Sequence, residues 1–253
     1  MAALKGVLSR KNIAVEPRPL PWSVKSNETG ANEYAYMSRI LEIAGGIWRN
    51  LPALLLRRRD TSPIESVSGL ESFVVTRAAF HGQKALYGYV KARMGIRYPA
   101  MFEDRNIVAS LNLAKMQVFA ACLSDLAIYA VAHAGNDRPI GNDERAALAL
   151  RFYRTGLNEN AGEAPPEFSA ADAIAAFKQR LAATDWRKAL TPENFTESPK
   201  AVFRWAPIAE NLKKFDREII GNSVKFAWRD IRELFGKRLN ADAVYADWQA
   251  ARQ

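Results

Sequence analysis

The feature that most constrains this chain is the run Val118–Ala134, seventeen residues broken only by Ser124 and Asp125, with His133 near its end. It is apolar nearly all round. A helix of that kind must be surrounded, either by other protein or by lipid. An aspartate near its middle is costly in hydrocarbon, so the run reads as the central helix of a bundle.

The flanking segments carry helical spacing too. Phe73, Phe80, Tyr87 and Met94 recur every seven residues, which predicts a helix from about Ile64 to Met94. Ala78, Gly82, Ala85 and Ala92 form a neighbouring small-residue stripe, suited to a close backbone approach. Gly95 is the expected C-terminal cap. A third helix is predicted from about Ala100 through Ala134, with Glu103 and Asp104 in its first turns. Further helices are expected from Asn142 or Asp143 to about Asn158 and from Ser169 to Ala183. Residues 184–206 read as mixed, with short helices near Trp186 and Val202. A long helix is predicted over Pro207–Leu239, its apolar stripe running through Ile208, Leu212, Phe215, Ile219, Val224, Ala227, Ile231 and Leu234. A short last helix ends at Trp248. No alternating strand pattern occurs.

The predicted fold is therefore all-α, a bundle of about six to eight helices, several of them long and antiparallel. Residues 1–31, with Pro17, Pro19, Pro21 and the stretch SNETG, read as an extended, mobile arm. Residues 32–63 read as an amphipathic basic helix and linker, and residues 64–253 as a single helical domain.

Charge is unevenly placed. The net charge is +9, and residues 1–101 contribute +8, residues 102–196 contribute −2 and residues 197–253 contribute +3. A basic first third suits an anionic partner: a membrane surface or an acidic protein. Arg57, Arg58 and Arg59 close a helix that carries Trp48, Leu51, Leu54 and Leu55. Bases beside Trp and leucine form the pattern of an interfacial helix, which makes those four apolar residues the candidate membrane contact. A helix docked on the bundle, or a homodimer seam, has the same apolar stripe. Lys91, Arg93 and Arg97 form a second basic group and join Arg57, Arg58 and Arg59 as the candidate residues for binding an anionic partner; Lys213, Lys214 and Arg217 form a third, and for these last two groups solvated helix faces are the plainer reading.

Common chemistries are missing from the pattern. G-x-S-x-G, a P-loop and H-E-x-x-H do not occur. One cysteine, Cys122, and two histidines, His81 and His133, supply a zinc site poorly, so neither a metal nor a cofactor is expected. Cys122 reads as a small buried hydrophobe, in keeping with a reducing compartment. The weak catalytic candidates are Asp125 with His81 and Tyr129, which would serve an esterase-like hydrolase with its site inside the bundle. The plainer alternative is one buried polar contact that fixes helix register. Nucleic-acid binding is the third reading. It is disfavoured, because no RNP motif or basic recognition helix is present.

The reading that follows is a helical adaptor or assembly-type protein on the cytoplasmic side. It would bind an anionic membrane surface or an acidic partner through its basic N-terminal third, peripherally on the inner membrane face. The opening MAALKGVLSRKN has bases but lacks an apolar segment of secretory length, which reads as a cytoplasmic start.

Overall fold

The computed structural model describes residues 61–95 and 98–251. Eight α-helices make up this part, and among the described residues there is no β-strand. In order they are α1 (Val67–Met94), α2 (Arg105–Ala134), α3 (Asn142–Glu159), α4 (Ala170–Ala182), α5 (Glu197–Trp205), α6 (Glu210–Lys213), α7 (Arg217–Arg238) and α8 (Ala241–Ala250). The all-α bundle expected from the periodicity is what forms. The expected arm, the basic helix with Trp48, Leu51, Leu54, Leu55, Arg57, Arg58 and Arg59, and also Arg97, lie outside the described residues.

α2 is the hub. Every residue from Cys122 through Ala132 is buried, and α1, α3 and α5 pack along it, with α8 at one end. By length and composition α2 is the one described helix apolar enough to cross a membrane. In this fold 56 % of that apolar window is buried by its neighbours. Gly82 explains how close α1 comes: a Cβ there would meet Cys122 Sγ at 3.4 Å and the Phe119 backbone at 3.5 Å. Ala78 beside it is fully buried. The small-residue stripe thus seats α1 on α2, while its last member, Ala92, is exposed.

The local starts and stops follow from side-chain chemistry. Ser66 caps α1, accepting from the Gly69 N–H at 3.1 Å. Gly95 ends the helix at φ 54°, a left-handed backbone suited to glycine. The third predicted helix begins later than expected. Pro99–Glu103 forms a short 3-10 turn, and Asp104 caps α2 instead of lying within it, accepting from Asn106 N at 2.8 Å and Ile107 N at 3.3 Å. Ser169 caps α4 through Asp172 N, and Asn240 caps α8 through Ala243 N.

The helix predicted over Pro207–Leu239 is divided. Residues 214–216 form a turn between α6 and α7. The expected inward stripe is also out of phase at its start. Ile208, Val224 and Ile231 are buried, but Leu212, Phe215 and Ile219 are exposed. The buried face runs instead through Lys213, Asp216, Ile220, Val224, Trp228, Ile231 and Phe235, a spacing of three and four that continues across the turn.

Candidate functional site

Two places stand out: a buried polar cluster at the middle of α2 and an inverted corner at α6–α7.

The cluster centres on Asp125, which is 0 % exposed. Its Oδ1 pairs with Arg180 Nη1 of α4 at 2.7 Å. Its Oδ2 accepts from the Ser198 backbone N–H at 2.8 Å and from Ser198 Oγ at 2.7 Å. The Glu197 N–H donates to Oδ1 at 3.2 Å. Glu197 and Ser198 are the first two residues of α5, and Thr196, the residue before them, makes no side-chain capping bond. Asp125 therefore supplies from α2 the N-terminal cap that α5 lacks locally. Arg180 is held in turn by Ser124 Oγ at 2.6 Å and the Asn194 carbonyl at 2.8 Å. Burial pushes the Asp125 carboxyl above its usual range, against the opposing pull of Arg180 and Ser198.

Asp125 and His81 are joined through intermediates, not by direct contact. Trp228 Nε1 donates to Ser198 Oγ at 2.9 Å, and the Trp228 ring stacks on His81 with centroids 3.8 Å apart. Burial, reinforced by Lys84, pushes the His81 imidazole down to about 3, so it is neutral at physiological pH. Its Nε2 has no hydrogen-bond partner. Tyr129, the third candidate, packs its ring against His133 at 4.3 Å and Phe195 at 5.1 Å. A Ser-His-Asp relay needs imidazole between hydroxyl and carboxylate. Here the hydroxyl donates to the carboxylate directly, and an indole stands between hydroxyl and imidazole. The arrangement ties α1, α2, α4, α5 and α7 together. Ser198 and Trp228, both central to it, were not among the sequence candidates. Pro199, in the first turn of α5, was the available sign of a helix start there.

A cleft of about 480 Å³ lies between α3 and α4, walled by Asn142, Asp143, Leu150, Lys178, Thr184 and Trp186 among others. Neither Asp125 nor His81 borders it. Among the described residues, no group of three His, Cys, Asp or Glu is placed to hold a metal ion. Cys122 is buried, and burial pushes its thiol well up.

The second place is the corner between α6 and α7. Lys213 and Asp216 face inward, 3 % and 1 % exposed, while Leu212 and Phe215 face outward, 45 % and 78 % exposed. Asp216 pairs with Arg93 of α1 and accepts from Tyr89 Oη at 2.8 Å. Lys213 Nζ donates to the Arg204 carbonyl at 3.2 Å and to Glu210 Oε1 at 3.0 Å. The expectation that Arg93 offers its charge to an outside anion is corrected here: its guanidinium is engaged by Asp216 inside the protein. Lys91, at the same helix end, is exposed. Farther along α7, Ile219 and Phe226 are 44 % and 61 % exposed. Cations accompany the rings: Lys214 Nζ lies 5.5 Å from the Phe215 centroid, Arg229 4.2 Å from Phe226, and Arg217 4.8 Å from Phe203.

No family model matches the chain, and no curated protein or solved structure resembles it significantly.

Proposed function

We propose that this protein is a helical adaptor or assembly-type protein that works by docking onto an anionic surface, a membrane face or an acidic partner. The observation that carries this reading is the contrast between the two sites. In the interior cluster Asp125, Arg180, Ser198 and Trp228 are engaged in holding helices together. The exterior presents apolar rings and bases side by side at one corner. The strongly basic first third, with Arg57, Arg58 and Arg59, adds charge of the same sign. Positive surface charge accelerates and stabilises docking on an anionic surface, and salt weakens it.

The test is binding of the full chain at low and high salt. The targets are vesicles of anionic or neutral lipid and, separately, immobilised polyglutamate. The expected result is binding to an anionic target that falls with salt. Replacement of Arg57, Arg58 and Arg59 by Ala should weaken it. Failure to bind either anionic target at low salt refutes the reading.

A further inference from the structure

We propose that the α6–α7 corner is a membrane-insertion site. Leu212, Phe215, Ile219 and Phe226 enter the acyl boundary of an anionic bilayer, and the bases beside them meet its phosphates. This rests on the reading of the chain as a docking protein, and it adds a second contact far in sequence from the basic N-terminal third.

The first argument is the inversion of the corner. Single exposed apolar residues are ordinary on a protein surface, but a buried charge beside an exposed large apolar residue is informative. Here Lys213 and Asp216 lie inside while Leu212 and Phe215 lie outside. A turn of one residue's phase would bury the apolar pair and free the charges. The opposite phase is held by Arg93 and Tyr89, which take Asp216, and by the Arg204 carbonyl, which accepts from Lys213. The ion pair thus turns Leu212 and Phe215 outward, where a second apolar medium would take them up.

The second argument is that α7 has two apolar faces. Ile220, Val224, Ile231 and Phe235 fill the core. Ile219 and Phe226, seven residues apart on α7, form another face that the fold leaves exposed, and Leu212 of α6 is exposed as well. No large apolar side chain among the described residues is more exposed than these and Phe215. Large apolar side chains left exposed near one another in the chain suit an interaction surface.

The third argument is charge, and it selects the occupant. Between residues 203 and 229 there are six bases and three acids. Lys213 is paired with Glu210, and Asp216 with Arg93 of α1. That leaves Arg204, Lys214, Arg217, Lys225 and Arg229 against Glu218, although Arg229 also approaches Asp230 and Glu233 of its own helix. Rings at the membrane boundary with long basic side chains reaching back to phosphate form the pattern of an interfacial helix. A second copy would set the same bases against one another across a two-fold axis.

The experiment uses the full chain. Co-sedimentation with phosphatidylglycerol-containing and pure phosphatidylcholine vesicles compares wild type with Phe215→Ser/Phe226→Ser. Both rings are exposed, so the variant should keep the wild-type melting temperature. Its partition onto anionic vesicles is expected to fall by at least about tenfold, since each ring carries much of the area removed from water. In parallel, Asn222→Cys, on the exposed face between Ile219 and Phe226, carries an environment-sensitive NBD label. Buried Cys122 is the control for background labelling. The label should shift to the blue on anionic vesicles and be quenched by spin-labelled lipid.

Unchanged binding by the double-serine variant, or an NBD signal that vesicles do not move, overturns the insertion site. If the Arg57/Arg58/Arg59 variant loses binding at the same time, the docking reading itself survives. A wild-type dimer that the double-serine variant breaks would assign the face to a second copy and overturn the proposal. Binding to polyglutamate but not to vesicles would assign an acidic protein and overturn it too. Binding to no anionic target removes both the docking reading and the site.

Discussion

Replacing Asp125 by Asn separates a structural clasp from a catalytic acid. The substitution keeps size and one carbonyl-type acceptor but removes the charge. Arg180, 19 % exposed at its side chain, loses its buried partner. One carboxylate oxygen becomes an NH2 group. Both oxygens now accept, one from Arg180 and Glu197 N and the other from Ser198 N and Oγ. Either amide orientation therefore sets donor against donor. Breaking a buried ion pair from one side typically costs about 3–5 kcal/mol. The partial exposure of Arg180 lets water reach it, which favours the lower end, about 3 kcal/mol. For a domain of this size that is a fall in Tm of about 6–12 °C. Urea unfolding of wild type and Asp125→Asn, followed by circular dichroism, measures it directly. A double-mutant cycle with Arg180→Met should return a coupling of about 1–3 kcal/mol. A loss below about 1 kcal/mol, with an intact fold, refutes the clasp and returns Asp125 to a functional role.

Three further outcomes are expected. His81 is held neutral in the fold with its imidazole near 3, while the unfolded chain protonates near 6.5; the unfolded state binds more protons between those values, so stability should fall by up to about 1.4 kcal/mol per pH unit on acidification below 6.5. His81→Phe, which keeps a ring on Trp228, should flatten that slope in urea titrations from pH 7 to 5. Gly156→Ala would bring a Cβ to 2.6 Å from Leu123 Cδ2 and 3.3 Å from Val75 Cγ2, so it should destabilise by about 1–3 kcal/mol in the same assay. Asp216→Asn should speed amide exchange across residues 210–220, because it weakens the tie from the α6–α7 corner to Arg93 and Tyr89; protection equal to wild type would show that the tie is not what holds the corner.

Much of the fold was legible because its signals are local. Ser66, Ser169 and Asn240 cap helices through bonds spanning three residues, and such bonds can be read from neighbouring letters. Asp104 was legible as a favourable acid near a helix start, but its place as the cap depended on Pro99–Glu103 closing a separate turn first. The site was much less legible. Asp125 could be singled out as a polar intrusion in an apolar run, but its partners Arg180 and Ser198 lie 55 and 73 residues away. Nothing near Asp125 announces that it caps another helix.

The α6–α7 corner shows the same division. Sequence alone determined that this is an all-α chain with a core helix at Val118–Ala134, since periodicity and capping act within a few residues. It also showed that bases and apolar residues mingle between Ile208 and Leu234. Hydrophobicity placed Leu212, Phe215 and Ile219 inward, because a pattern assumes that apolar residues seek the core. Only the tertiary structure set the phase one residue later. Arg93 and Tyr89, more than 120 residues earlier, receive Asp216 at that point, and a buried ion pair with its hydrogen bonds admits one rotation of the helix. That rotation turns Phe215 outward, and it is a choice made between segments that no local pattern contains.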